Sequence, residues 1–171
     1  MKKLIALVVS LCMLFAVAVA EEDNTITWEQ VLPMVEAGDV AGDFYTFDEI
    51  AMKIWIPAGM VPGELPYENY IGYFVSEDGS EDAVAVIYVD ANGMDLSTYA
   101  EQLVEYGATG IEMGTVNGLP CVSYELVEAA AVCVAFTTQA GYILEVACGP
   151  IASDEEKMGA SVIMASIQAM D

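Results

Sequence analysis

The chain has no histidine and no arginine, and its four basic residues are Lys2, Lys3, Lys53 and Lys157. Those gaps exclude a good deal of chemistry. Without imidazole there is no serine triad of the usual kind and no His-bearing zinc site. A cysteine nucleophile lacks the base or positive surroundings that favour its thiolate. Phosphate recognition rests on Lys and Arg, so nucleic acid is excluded as a partner. Anionic membrane surfaces are excluded on the same ground.

Cysteine is also scarce, with four residues, one of them (Cys12) inside the apolar N-terminal run. Lys2 and Lys3 precede that run, Leu4–Val17, and Ala18-Val19-Ala20 fits a signal-peptidase site. We expect residues 1–20 to be a cleaved signal peptide, which makes the protein secreted. The rival is a retained anchor, for which the run is slightly short of the roughly 20 residues a bilayer requires. Residues 21–171 are expected to form one α+β domain.

What is abundant is acid. All 27 Asp and Glu residues lie after residue 20, against Lys53 and Lys157, so the formal charge there is −25. Such charge keeps a secreted protein soluble, and it leaves cations and basic surfaces open as partners.

Leu119–Leu126, Ala131–Thr138 and Tyr142–Cys148 are rich in Val, Ile, Tyr, Phe and Thr and read as an antiparallel meander. A two-residue loop at Ala140-Gly141 would pair Gln139 with Tyr142 and set Cys133 opposite Cys148. That pair would be of the hydrogen-bonded kind, less suited to a disulfide than the closer non-bonded kind. The alternative for Cys121, Cys133 and Cys148 is a set of small buried thiols.

Upstream, Thr27 and Gln30 form a capping box for a short helix over 27–38, which Pro33 should shorten or kink and Gly38 end. Phe44–Phe47 and Ala51–Ile56 read as a hairpin, and Ala58–Asn69, with Pro62 and Pro66, as a loop. Tyr70–Val75 and Ala83–Asp90 are the next strands. A helix capped by Asp95 or Ser97 carries the stripe Leu96, Tyr99, Ala100, Leu103 and Val104, and a short strand follows over Ile111–Val116. Ser153 and Glu156 cap a last helix whose face holds Met158, Val162, Ile163, Ile167 and Met170. Hairpin-length links imply an antiparallel β-sheet covered by α-helices, an α+β class.

The strand ending Trp55-Ile56-Pro57, the helix opening Met94-Asp95-Leu96-Ser97-Thr98-Tyr99-Ala100, the run Val116-Asn117-Gly118-Leu119-Pro120 and the closing Ile163-Met164-Ala165-Ser166-Ile167 together resemble the Mog1/PsbP-like family. The likeness spans roughly Phe44 to Met170 and lies in element order and apolar positions. It implies an antiparallel sheet between helices and a non-enzymatic role. Members of that family bind a small nuclear GTPase or sit on photosystem II and support its calcium and chloride requirement. No residue here matches either binding site.

Three groups could carry chemistry. Glu125 and Glu145 on predicted strands are candidates for a glycosidase pair, the one catalytic option the composition leaves. Glu77, Asp78, Glu81 and Asp82, with Ser80, cluster on one link and could hold calcium, as could Asp90, Asn92 and Asp95 on another; neither follows the helix–loop–helix calcium pattern. The plainer reading is a solvated turn. Trp55, Tyr67, Tyr70 and Tyr73 surround the Pro-rich loop and suit a partner-binding surface, or else core packing. The sequence thus points to a secreted binding module without catalysis and without an obligatory cofactor, with a calcium-dependent accessory protein as runner-up.

Overall fold

A computed structural model describes residues 25–38, 40–89, 93–138 and 140–170. The expected signal peptide, with Cys12, and Asp90 and Asn92 of the second calcium candidate lie outside the described residues.

The chain opens with β1 (Thr25–Ile26) and α1 (Trp28–Ala37). The Thr27 N–H donates to Gln30 Oε1 at 2.9 Å, as a capping box requires. Of the two effects expected of Pro33, shortening does not occur: α1 runs on to its cap at Gly38, the expected end. Glu29 and Pro33 both lie on its exposed side, so the carbonyl that loses its donor has water in reach. Next come β2 (Gly42–Phe47), a 3-10 turn (Asp48–Ile50), β3 (Met52–Pro57) and β4 (Met60–Pro62). β4 corrects the loop expected over Ala58–Asn69. It pairs antiparallel with β5 (Tyr70–Ser76) as a sheet edge, where a terminal proline costs no ladder bond.

β6 (Ala83–Val89) leads to α2 (Leu96–Glu105), where Asp95 Oδ1 accepts from the Thr98 N–H at 2.8 Å. Leu96, Tyr99, Ala100 and Leu103 of its stripe are buried, but Val104 is 64% exposed and faces away. β7 (Ala108–Val116) is longer than the expected strand, because a bulge between Thr109 and Glu112, with Gly110 at φ +61°, lets pairing resume on its far side. β8 (Leu119–Leu126), β9 (Ala131–Thr137) and β10 (Ile143–Gly149) form the expected meander. α3 (Asp154–Ala165) has the full Ser153–Glu156 capping box. It stops at Ala165, earlier than the stripe to Met170 implied, and the chain turns back into β11 (Gln168–Ala169). Ser166 bonds the Trp55 N–H at 2.8 Å there, and Ile167 is fully buried.

The strands make two sheets rather than one. The larger has the order β1-β7-β8-β9-β10-β6-β5-β4, antiparallel except for the short β1–β7 contact, and the smaller is β11-β3-β2. Both expectations of class hold: α+β, with antiparallel sheet dressed by helices. One face of the large sheet, through Phe74, Val86, Val134, Phe136, Leu144 and Val146, packs against Met52, Ile54 and Ile56 of the small sheet and Ala160, Ile163 and Ile167 of the α3 segment. Each large side chain so buried contributes about 1.5–3 kcal/mol. Gly72 permits the approach of the sheets, since a Cβ there would lie 2.7 Å from the Phe47 ring. The other face, through Val122, Tyr124, Cys133, Ala135 and Ile143, receives α2.

The β9–β10 register is one residue off the expected one. The loop holds three residues, because the Gly141 N–H donates to Thr138 O at 2.9 Å and the Thr138 N–H to Tyr142 O at 2.8 Å, with Gly141 at φ +82°. This is a turn closed by a glycine bulge. Cys133 therefore faces Ala147, and Cys148 faces Val132. A one-residue slip sends a side chain to the other face. Cys133 packs under α2, whereas Cys148 packs between the sheets, and both thiols, like that of Cys121, are free and buried.

Candidate binding surface

α2 covers only part of its face of the large sheet. It packs on β7, β8 and β9, where Val122, Cys133 and Ala135 are almost fully buried. On β10, β6 and β5 the same face is more open: Glu145, Ala147, Ile87, Val89, Tyr70 and Tyr73 are half-buried, although Ile143 and Ala85 between them are buried.

The register arranges this face in two rows. One runs Tyr70–Ile87–Glu145–Ala135–Val122 from β5 to β8, and its neighbour runs Tyr73–Ala85–Ala147–Cys133–Tyr124. Tyrosines thus stand at both ends of the second row, with small side chains between them. Tyr67, in the loop before β5, continues the aromatic series. Its ring lies 5.6 Å from that of Tyr70, which lies 6.1 Å from that of Tyr73. Both separations suit aromatic pairs. Tyr67 is 69% exposed and forms the outer end of the row.

Glu145 is where this open half meets the covered half. The hydroxyls of Tyr99, on α2, and Tyr124, on β8, both donate to Glu145 Oε2, Tyr99 at 3.2 Å. Tyr124 reaches across β9 because Ala135 and Cys133 are small. Burial, reinforced by the Glu145 charge, pushes the Tyr124 hydroxyl far above its usual range, and burial pushes that of Tyr99 up to about 12. Both therefore stay protonated near neutrality and act on the carboxylate as donors. Among the described residues nothing donates to Oε1, and no fully buried side-chain oxygen lacks a partner, so Oε1 is not sealed from solvent.

The sequence candidates fall in separate places. Tyr67, Tyr70 and Tyr73 come together. Trp55 does not join them: it is buried on the small sheet with its ring 5.8 Å from Trp28. Glu125 and Glu145 project from opposite faces, since Glu125 is paired with Val132 and Cys148 with that same Val132, while Glu145 stands opposite Ala135. Glu125 instead bonds Lys157 at 2.5 Å on the α3 side. The two carboxylates accordingly cannot flank one glycosidic bond. In the first calcium candidate, Asp78 Oδ1 accepts from Ser76 Oγ and the Ser80 N–H, and Asp82 Oδ2 from Ser80 Oγ, each at 2.8 Å. Those bonds draw the Asp78 carboxyl below its usual range. Glu77 and Glu81 do not converge with them, and no three acidic or cysteine side chains among the described residues form a metal-holding group.

Sequence reasoning singled out Glu145 for the wrong partner and read Tyr99 as core alone. A signal was present: Glu145 alternates with Ile143 and Ala147, so a charge shares the buried side of a central strand and needs donors.

No protein-family model matches the sequence, and no curated protein matches it. Among solved structures, the chain is similar to cyanobacterial PsbP (CyanoP) of Synechocystis, with a TM-score of 0.59 and 10% identity over 76% of this chain and 93% of that one. It also aligns with the Ran-binding protein Mog1p of Saccharomyces cerevisiae, with a TM-score of 0.43 and 13% identity over 77% of this chain and 97% of that one. At such identity the likeness is one of architecture, and what it establishes is that this chain has the Mog1/PsbP-like fold.

Proposed function

We propose that the protein is an extracytoplasmic, non-catalytic binding module that takes a protein partner on the tyrosine face of its large sheet. The observation that carries this reading is the row Tyr67–Tyr70–Tyr73 on the half of the face that α2 leaves open. Tyrosine offers large contact area with few rotatable bonds and is favoured at recognition surfaces. The signal-like N-terminus supports an extracytoplasmic place for it. Support for a role without catalysis comes from the composition and from the placing of Glu125 and Glu145 on opposite faces.

The test compares Tyr67→Ala with Val127→Ala, a substitution of another exposed side chain in the β8–β9 turn. Both should leave stability within about 0.5 kcal/mol of the parent, as exposed positions do. The partner recovered from the native extracellular medium should be held by the parent and by Val127→Ala and lost by Tyr67→Ala. A Tyr67→Ala protein that unfolds, or that holds the partner undiminished, removes the tyrosine row from the binding surface.

A further inference from the structure

We infer that the tyrosine face recognises a basic segment of its partner by seating an arginine side chain between Glu145 and the rings of Tyr70 and Tyr73. This deepens the reading above and rests on it. Tyr70, Ile87 and Glu145 are successive partners across β5, β6 and β10, so Tyr70 and Glu145 stand two strand spacings apart, about 10 Å. A guanidinium on its flexible stem fits that interval. Its face can lie on a tyrosine ring while its edge donates to a carboxylate, which a compact ammonium does less well.

The carboxylate is prepared for such a ligand. Oε2 is held by two hydroxyls, while Oε1 takes no hydrogen bond from the described residues. Among the described residues no lysine supplies a countercharge to Glu145. Of the lysines among the described residues, Lys157 is bound to Glu125 on the opposite face, and Lys53 lies 5.0 Å over the Phe44 ring on the small sheet. Burial raises the Tyr70 hydroxyl above its usual range, and the neighbouring Tyr67, Glu145 and Tyr73 raise it further. Finally, the formal charge of −25 beyond residue 20 draws a basic partner toward the molecule before any contact forms. The same charge and the half-buried apolar floor of Ile87 and Ala147 disfavour an acidic segment.

The probe is the capped tripeptide acetyl-Gly-Arg-Gly-amide, with acetyl-Gly-Gln-Gly-amide as its neutral counterpart, titrated into the protein and followed by NMR. The arginine peptide should shift the ring protons of Tyr70 and Tyr73 at millimolar concentration, and the glutamine peptide should not. Glu145→Gln should weaken the arginine peptide at least fivefold, and Glu155→Gln, at the exposed start of α3, less than twofold. Tyr70→Ala, which leaves the carboxylate in place, should also weaken it at least fivefold and serves if Glu145→Gln does not fold. The inference is overturned by equal shifts from both peptides, by Tyr70→Ala binding within twofold of the parent, or by Glu155→Gln weakening binding as much as Glu145→Gln. Loss of the native partner in Tyr67→Ala, together with no response to the arginine peptide, would keep the surface and discard the arginine.

Discussion

The side-chain amide of Asn117 donates to the carbonyl of Ala165, 48 residues further along the chain, at 2.8 Å. The same Nδ2 reaches Ile167 O at 2.7 Å, and Oδ1 accepts from the Trp28 N–H at 2.7 Å. One residue in the β7–β8 turn therefore ties the start of α1 to the end of α3, and it does so from a left-handed conformation, φ +47°. That conformation is one asparagine tolerates.

Asn117→Gly keeps the conformation and removes the three bonds. Each is partly buried, and at about 1 kcal/mol apiece their loss should cost roughly 3 kcal/mol. Urea denaturation should show a lower midpoint with an unchanged slope. A loss below about 0.5 kcal/mol would mean the three contacts do not hold the helix ends.

The β9–β10 register predicts a cross-link that the native cysteines cannot make. Counting outward from the bonded pair Thr138–Tyr142, Cys133 and Ala147 form a pair of the closer, non-hydrogen-bonded kind. Ala147→Cys should therefore form a disulfide with Cys133 on mild oxidation, seen by mass spectrometry of the peptides, while Cys148 stays reduced. A bridge from Cys133 to Cys148 in the unaltered protein would show the register to be the one expected from a two-residue loop.

Stability should fall in alkali. Burial pushes the Cys121 thiol up to about 11 and that of Cys148 up to about 12, from an ordinary value of 9.0. A raised folded-state value favours the neutral form, so its stabilisation is fully present below the unfolded pKa and is lost as pH rises from there through the folded value. The window is thus about pH 9 to 12, and by pH 10.5 each thiol should have lost about 2 kcal/mol of its contribution. Urea midpoints at pH 7, 9 and 10.5 measure this. Cys148→Ala should make the fall shallower, and an unchanged midpoint at pH 10.5 would show that the thiols are not buried.

Sequence alone was informative wherever a signal lies within a few residues. Ser153 and Glu156 announce the start of α3, Asp95 that of α2, and Asn117-Gly118 the β7–β8 turn, because caps and tight turns are satisfied by neighbours. The order of these elements, with the apolar runs between them, was enough to suggest the Mog1/PsbP-like fold. The missing histidines and arginines narrowed the chemistry without reference to any fold. Pairing between distant strands was not legible. β4 and β11 are strands only because β5 and β3 offer them an edge, and the division into two sheets depends on contacts far apart in the chain. The candidate surface belongs to the same level. Whether Glu145 meets Glu125 or the hydroxyls of Tyr99 and Tyr124 turns on which side of a pleat each residue occupies, and a single step of register reverses that choice.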